Sequence, residues 1–217
     1  MGGGGISNFD ESKIRSYVNK LVSEFSRDIL KELRSIPSET NRFLYFLAWL
    51  NTKLEEWRLG RIVIVRGFSV EFYTRASIRT IDVDVVILGS STATAVVRRF
   101  LDAVGSIHEG RVYVLAPLRH LLSKAIDLVD DNLANRRLVV VEIGGYRVYI
   151  QSPEDTLVYT LNAWKFWKSS EDELRARVLV EVLKNKLNED YLCCRAEEEG
   201  VIDKLREAGM PCRREKR

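Results

Sequence analysis

The amino-acid sequence predicts an α+β protein with a central group of strands and helices towards both ends of the chain. Apolar residues recur at helical spacing before residue 58 and after residue 152, while short apolar runs bounded by glycine fill the stretch between. With 217 residues, of which 46% are hydrophobic, the chain is long enough to bury a substantial core.

The N-terminal part is predicted to contain two helices within residues 10–58. An amphipathic helix is expected over residues 10–34 and a second helix over residues 39–58, because apolar residues recur every three or four positions in both. The glycine-rich residues 1–9 are expected to be disordered or a cloning remnant, and they lack the features of a signal peptide.

An α/β core is predicted over residues 59–151. Strands are expected in RIVIVRG, TIDVDVVIL and GRVYVLA, with a short helix or turn in SVEFYTR and a helix in STATAVVRRFLDAVG. The stretch RLVVVEIGGYRVYIQ is typical of a hairpin that turns at Gly144-Gly145. For PLRHLLSKAIDLVDD, both a short helix and an irregular connection stay open.

The C-terminal part, residues 152–210, is predicted to be helical. Ser152 is expected to cap a helix with Pro153 in its first position and Asp155 in its third. Further helices are expected near residues 170–185, 188–198 and 200–208, and the basic tail at 211–217 is expected to be solvated.

Composition sets limits on the function. The net charge of +3 does not call for a nucleic-acid partner, and no apolar run is long enough to span a membrane. We therefore expect a cytoplasmic protein without a membrane partner. A charged fraction of 30% with a single glutamine, Gln151, is typical of thermophile proteins.

The three cysteines are Cys193, Cys194 and Cys212. An odd number without paired spacing disfavours a disulfide framework or a zinc site, so ordinary packing is the expected role. A disulfide between Cys212 and one of the other two stays open, because such bonds occur in hyperthermophile cytosol.

The most informative residues are Asp82 and Asp84, which lie one residue apart in a predicted buried strand and share one of its faces. Two ionised carboxylates side by side repel each other, and burial penalises both. A divalent cation removes that penalty, and carboxylate oxygens suit Mg²⁺ or Mn²⁺. The alternative is a strand with one hydrated face, on which both aspartates meet solvent.

Polar residues that suit a phosphate precede the two aspartates. Gly67 follows the strand RIVIV, where a tight turn would bring backbone amides near a phosphate, and Ser69 would add a hydroxyl. Arg79 and Thr80 follow. Arg79 would balance phosphate charge or, alternatively, form a salt bridge with Glu71 or Asp82.

The stretch IVRGFSVEFYTRASIRTIDVDVVI resembles the core signature of the nucleotidyltransferase superfamily, which has the DNA polymerase beta-like fold. That signature is an apolar strand, Gly-Gly or Gly-Ser, a spacer and Asp-x-Asp on the next strand. Within that superfamily the stretch resembles the minimal archaeal and bacterial nucleotidyltransferase-like proteins, which include abortive-infection type toxins. SPEDTLVYTLNAWKFWKSSEDE resembles the same family's Ser-x-Glu-Asp helix. The resemblance covers residues 60–208 and implies a mixed sheet flanked by helices.

The resemblance also implies an activity, the metal-dependent transfer of a nucleotidyl group from an NTP to a protein, an RNA or a small molecule. Asp82 and Asp84 would be the catalytic residues and would hold Mg²⁺ or Mn²⁺. Glu142, which interrupts an apolar run on an expected neighbouring strand, is the candidate for a third metal ligand. Its alternative role is that of a strand-end residue at a hairpin. The nucleotide-binding residues implied are Arg66, Gly67, Ser69, Arg79 and Thr80.

Three positions depart from the family pattern. Arg66 stands in the glycine turn, where it would contact a phosphate or fill the pocket, and Thr160 stands where relatives place a lysine. The usual aspartate of a later helix is replaced within ELRARVLV. These departures favour an alternative, a catalytically degenerate nucleotidyltransferase fold that acts as a nucleotide-binding or protein-interaction module. A toxin role, a housekeeping role and a homo-oligomer all stay open.

Overall fold

The computed structural model describes residues 8–212 of the chain. The predicted disordered N-terminus at 1–9 and the basic tail at 211–217 lie largely outside the described residues. Residues 8 and 9 belong to the first helix. The predicted α+β fold class is confirmed, because helices flank a mixed seven-stranded sheet within the described part of the chain.

The α-helices follow the sequence prediction closely. In chain order they are α1 (Asn8–Glu24), α2 (Leu30–Ser35), α3 (Glu39–Glu56), α4 (Arg66–Tyr73), α5 (Ser91–Ala103), α6 (Pro153–Trp167), α7 (Ser170–Leu183), α8 (Glu189–Glu198) and α9 (Ile202–Glu207). A π-helical turn, Phe25–Ile29, joins α1 to α2. None of the helices within residues 8–212 has the length and apolar character needed to cross a membrane.

The strands include two that the sequence did not predict. In chain order they are β1 (Gly60–Val65), β2 (Asp82–Gly89), β3 (Ile107–Glu109), β4 (Val112–Val114), β5 (Ala125–Leu128), β6 (Leu138–Ile143) and β7 (Tyr146–Gln151). The sheet order is β3-β4-β5-β2-β1-β7-β6, and both the β3–β4 and the β4–β5 pairs are antiparallel. The predicted hairpin is present, with Gly144 and Gly145 at positive φ between β6 and β7.

The described residues pack as two compact units, and each draws on several separate segments of the chain. The first unit contains residues 8–63, 85–130 and 140–149. The second contains residues 64–84, 131–139 and 150–212. The predicted segments 10–58, 59–151 and 152–210 divide the chain by type of secondary structure. Residues of the predicted α/β core, 59–151, occur in both units.

An aromatic cluster lies at the centre of the first unit. The rings of Phe25, Phe46, Trp49 and Phe100 lie 5.4 to 6.2 Å apart between centroids, mostly edge-to-face or tilted. Trp49 also donates its indole N–H to Glu24 at 2.9 Å, so the polar end of this buried side chain has a partner. These contacts hold the helices before residue 57 against α5.

The second unit has its own apolar core, built from α4 and the C-terminal helices. Val70 of α4 packs in one cluster with Leu157, Leu161, Leu179 and other apolar residues of the helices that follow. A disulfide joins Cys193 in α8 to Cys212, which packs against the same cluster. The pairing that the sequence left open is therefore present, and Cys194 is an exposed free thiol.

Candidate functional site

The candidate site begins where β1 ends and α4 starts. Val65 is extended, and Arg66 has a left-handed backbone with φ 58°, which turns the chain sharply into the helix. No side chain caps the N-terminus of α4, although the backbone N–H of Arg66 lies 3.4 Å from the amide oxygen of Gln151. The first-turn amides of an α-helix lack acceptors within the helix and favour an anion.

Gly67 is required at this turn for close packing. A Cβ at Gly67 would lie 2.9 Å from Oγ1 of Thr80, closer than real Cβ atoms come to their neighbours. The Thr80 hydroxyl in turn donates a hydrogen bond to Oδ1 of Asp82 at 2.8 Å. The Thr80 backbone N–H donates to the buried carboxylate of Glu71 at 2.9 Å. The turn therefore positions Asp82 through Thr80.

The two aspartates lie at the start of β2, as the alternation of a strand requires. Val83 and Val85 are buried on the opposite face, and Asp84 is only 8% exposed, whereas Asp82 is half-buried. Ile81 does not join the apolar face, because it precedes β2 and is 87% exposed. The expected pair of carboxylates on one strand face is thus present in the structure.

Arg66 directs its side chain towards the second of these carboxylates. Its Nη1 lies 3.4 Å from Oδ1 of Asp84, and its guanidinium carbon lies 5.8 Å from the ring centroid of Tyr159 in α6. Burial raises the pKa of the Tyr159 hydroxyl, and the nearby positive charge of Arg66 partly offsets that increase. The Arg66 side chain thus contacts Asp84 and Tyr159, and both of its predicted roles stay predictions.

Ser69 does not fit its expected role, and Arg79 lacks one of its two predicted partners. Ser69 is fully buried, and its hydroxyl lies 3.4 Å from the carbonyl oxygen of Ile64, so it faces the protein interior and not a ligand. Arg79 is exposed, and no ion pair with Glu71 or Asp82 is present among the described residues. Arg79 therefore keeps only its predicted role as a phosphate contact.

Glu142 is not on a strand beside β2. It lies in the edge strand β6, and β1 and β7 come between β6 and β2 in the sheet order. Within the first unit Glu142 lines a surface cleft of about 560 Å³ together with Thr52, Glu55 and Arg147. The expectation of a neighbouring strand is wrong because sequence identifies strands more readily than it identifies their order.

The described residues contain no group of three or more His, Cys, Asp or Glu side chains placed to hold a metal ion. The candidate metal site therefore consists of two carboxylates. This donor set still suits Mg²⁺, which proteins commonly bind through one or two carboxylates while substrate phosphates and water supply the other ligands. Asp82 and Asp84 are the residues that would hold such an ion.

Glu154 and Asp155, which belong to the Ser-x-Glu-Asp motif at the start of α6, have structural partners. Ser152 caps α6 by accepting a hydrogen bond from the Asp155 backbone N–H at 3.1 Å, as predicted. The buried Asp155 carboxylate pairs with Arg195 at 3.2 Å and accepts from the Tyr191 hydroxyl at 2.7 Å. Glu154 accepts from the backbone N–H at the start of α8. These contacts fix α6 in the second unit.

Two residues of the site, Gln151 and Tyr159, were not predicted from the sequence. Gln151 is the only glutamine of the chain and is 1% exposed, and its side chain meets the turn at Arg66. Its backbone carbonyl accepts from the Tyr73 hydroxyl at 2.8 Å. A lone polar residue at the end of an apolar strand is the signal that would have identified it. Tyr159 gives no such signal within α6.

Comparison with known proteins supports the same class of fold. No protein-family model matches the chain, and no curated protein matches it. Among solved structures, an antigenic nucleotidyltransferase-like protein from Paracoccidioides brasiliensis is similar, with a TM-score of 0.52 and 15% identity over 78% of this chain and 91% of that one. The chain thus has a nucleotidyltransferase-like fold.

A second similar structure is that of the antibiotic-resistance factor ANT(2'')-Ia. The match has a TM-score of 0.44 and 12% identity over 71% of this chain and 89% of that one. At this level of similarity, the comparison adds no argument about the site.

Proposed function

We propose that this protein binds a nucleoside triphosphate with Mg²⁺ or Mn²⁺ and transfers its nucleotidyl group to an acceptor of unidentified class. One observation carries the proposal. Two carboxylates on one face of β2 lie beside a sharp turn that ends in an uncapped helix N-terminus and an arginine. A binding place for a cation and a binding place for phosphate are therefore adjacent.

The phosphate side of the proposed site is formed by α4 and Arg66. Beyond Arg66, whose backbone N–H already contacts Gln151, the first-turn amides of α4 would donate to a phosphate, and the helix dipole adds a partial positive charge. Nε of Arg66 is buried and has no hydrogen-bond partner among the described residues. A guanidinium with unused donors suits phosphate oxygens, which accept two parallel hydrogen bonds.

The cation side is formed by Asp82 and Asp84. Thr80 fixes the orientation of Asp82 by a 2.8 Å hydrogen bond, which limits the conformational entropy lost when a ligand binds. When bound, a divalent ion would neutralise the phosphate charge that increases as pyrophosphate leaves. Asp82 is the more exposed carboxylate and would accept the proton of an acceptor hydroxyl that attacks the α-phosphate.

Calorimetric titration with each NTP in the presence of Mg²⁺ or Mn²⁺ tests the binding step. Asp82→Asn and Asp84→Asn are expected to lose metal-dependent binding, because each replaces a charged ligand by a neutral amide. Asp130→Asn changes the charge equally at an exposed aspartate and is expected to bind as wild type does. Absence of NTP binding to the folded wild-type protein would refute the proposal.

A second candidate function is nucleotide binding without transfer. The ion pair between Arg66 and Asp84 favours it, because a guanidinium neutralises one of the two candidate metal ligands. Incubation with α-labelled NTP and a pyrophosphate assay separates the two functions. Label transferred to protein, RNA or a small molecule with release of pyrophosphate identifies the enzyme. Binding without pyrophosphate across all three acceptor classes identifies the binding module. A toxin role and a cytoplasmic location stay predictions.

A further inference from the structure

Arg66 combines two features that are costly for a folded protein. It has a left-handed backbone, φ 58°, which residues other than glycine adopt at a cost in free energy. It also brings a positive charge into a site where the side chain of Arg66 is 25% exposed and that of Asp84 only 11% exposed. A glycine at this position would avoid both costs, so the arginine needs a reason in its own chemistry.

The contact between Arg66 and Asp84 is a loose one. At 3.4 Å, a single Nη1–Oδ1 contact is longer than the 2.7–2.9 Å typical of charge-assisted hydrogen bonds. Nε has no hydrogen-bond partner in the described part of the chain. The guanidinium therefore neutralises Asp84 electrostatically while part of its hydrogen-bonding capacity stays unused, and a better acceptor could displace it.

We propose that Arg66 is a displaceable counter-cation for Asp84, which opposes divalent metal binding until a triphosphate withdraws the guanidinium. This inference rests on the proposed nucleotide-binding function and assigns its regulation to one residue. A phosphate group offers the guanidinium two parallel acceptors, which a single carboxylate oxygen does not. Movement of the guanidinium onto phosphate would expose Asp84 to the metal ion, and the pair would bind cooperatively.

The size of the effect follows from electrostatics. A unit charge about 6 Å from a divalent ion changes the affinity for that ion by about tenfold, even at the dielectric constant of water. Loss of the Arg66 charge should therefore tighten binding of the metal alone by at least that factor. Because coupling between two ligands is reciprocal, the same loss should weaken the cooperation between metal and nucleotide.

The test measures Mn²⁺ binding by electron paramagnetic resonance on the full chain. Arg66→Gln removes the positive charge but leaves a residue that, like arginine, adopts the left-handed backbone at a cost in free energy. Arg66→Lys keeps the positive charge. Without nucleotide, Arg66→Gln is expected to bind Mn²⁺ about tenfold more tightly than wild type, and Arg66→Lys within about threefold of it. Arg66→Gly should match Arg66→Gln and melt no lower than wild type, because glycine tolerates positive φ.

A second arm adds non-hydrolysable analogues of the four ribonucleoside triphosphates. In wild type, an analogue that binds should raise the Mn²⁺ affinity by a larger factor than it does in Arg66→Gln. Equal Mn²⁺ affinity of wild type and Arg66→Gln without nucleotide overturns the inference, even where NTP binding supports the proposed function. Absence of Mn²⁺ binding to Arg66→Gln also overturns it.

The two hypotheses fail in different ways. A tenfold gain in Arg66→Gln that disappears when Asp84→Asn is added supports the counter-cation role. If the tenfold gain is present but no analogue binds to any variant, the proposed nucleotide function fails, and so does the displacement of Arg66 by a triphosphate. The competition between Arg66 and the metal ion for Asp84 then still stands. Thermal melting of each variant verifies that the compared proteins are folded.

Discussion

The disulfide between Cys193 and Cys212 allows a quantitative prediction about stability. It closes a loop with a sequence separation of 19, and it lies at the end of the second unit. Because a cross-link restricts the unfolded chain, a loop of this length is expected to stabilise the fold by about 3 kcal/mol. The α8–α9 region that the loop contains packs in the core through Ala196, Val201 and Leu205.

Urea unfolding of Cys193→Ser measures this contribution. With typical slopes of roughly 1–3 kcal/mol per molar urea, the midpoint should fall by about 1–3 M. Cys194→Ser is the matched control, because it removes the neighbouring exposed thiol and should leave the midpoint unchanged. A reducing agent should lower the wild-type midpoint to that of Cys193→Ser.

The double variant Cys193→Ser/Cys212→Ser makes the test sharper. If the disulfide is the source of the stability, the double variant should cost no more than either single variant, because each alone already breaks the bond. Additive losses from the two substitutions, or equal midpoints for Cys193→Ser and Cys194→Ser, would contradict the reasoning.

Three further predictions concern the site, the first unit and the response to pH. Gly67→Ala should weaken NTP binding at least about tenfold and destabilise the fold by about 1–3 kcal/mol, because a Cβ would displace Thr80; unchanged calorimetric affinity would contradict this. Asn51→Ala should cost about 3 kcal/mol in urea unfolding, because the fully buried Asn51 bonds two backbone groups, and the exposed Asn19→Ala should cost almost nothing. Burial, aided by a hydrogen bond to a buried carboxylate, raises the pKa of Tyr191 from 10.0 to about 12. The folded protein therefore keeps a proton that the unfolded chain releases, so the contribution of Tyr191 is complete below pH 10 and is lost as pH rises towards about 12. Tyr191→Phe should make the fall in urea midpoint across this range less steep, and an identical fall would exclude the effect.

Most of the fold could be predicted from the sequence, because its helices have clear apolar spacing and its longer strands have clear alternation. The two missed strands lack both signals. All three residues of β3 are exposed, and β5 has four residues that include Asp127. Asp127 is tolerated in the sheet because Arg111 pairs with it at 2.8 Å, and such a contact between distant residues has no local signature.

The candidate site was predictable where it depends on local geometry. Asp82 and Asp84 share a face because strand side chains alternate, and Gly67 stands at the turn because the chain needs close packing there. Glu142 was misplaced because its role depended on the order of strands in the sheet. The contact of Arg66 with Asp84 was not predictable, since it depends on a backbone angle that arginine rarely adopts.

The π-helical turn at Phe25–Ile29 implies that the chain could be one residue shorter at this point. The buried residues Leu21, Phe25, Ile29 and Leu33 are spaced four apart, and a regular α-helix would rotate such a series steadily off one face. The wider turn absorbs one surplus residue on the solvent side, where residues 26–28 are exposed. Deleting Ser26 should leave an ordinary α-helix with its apolar residues still facing inward. A natural relative one residue shorter at this point would therefore need no other change in its core.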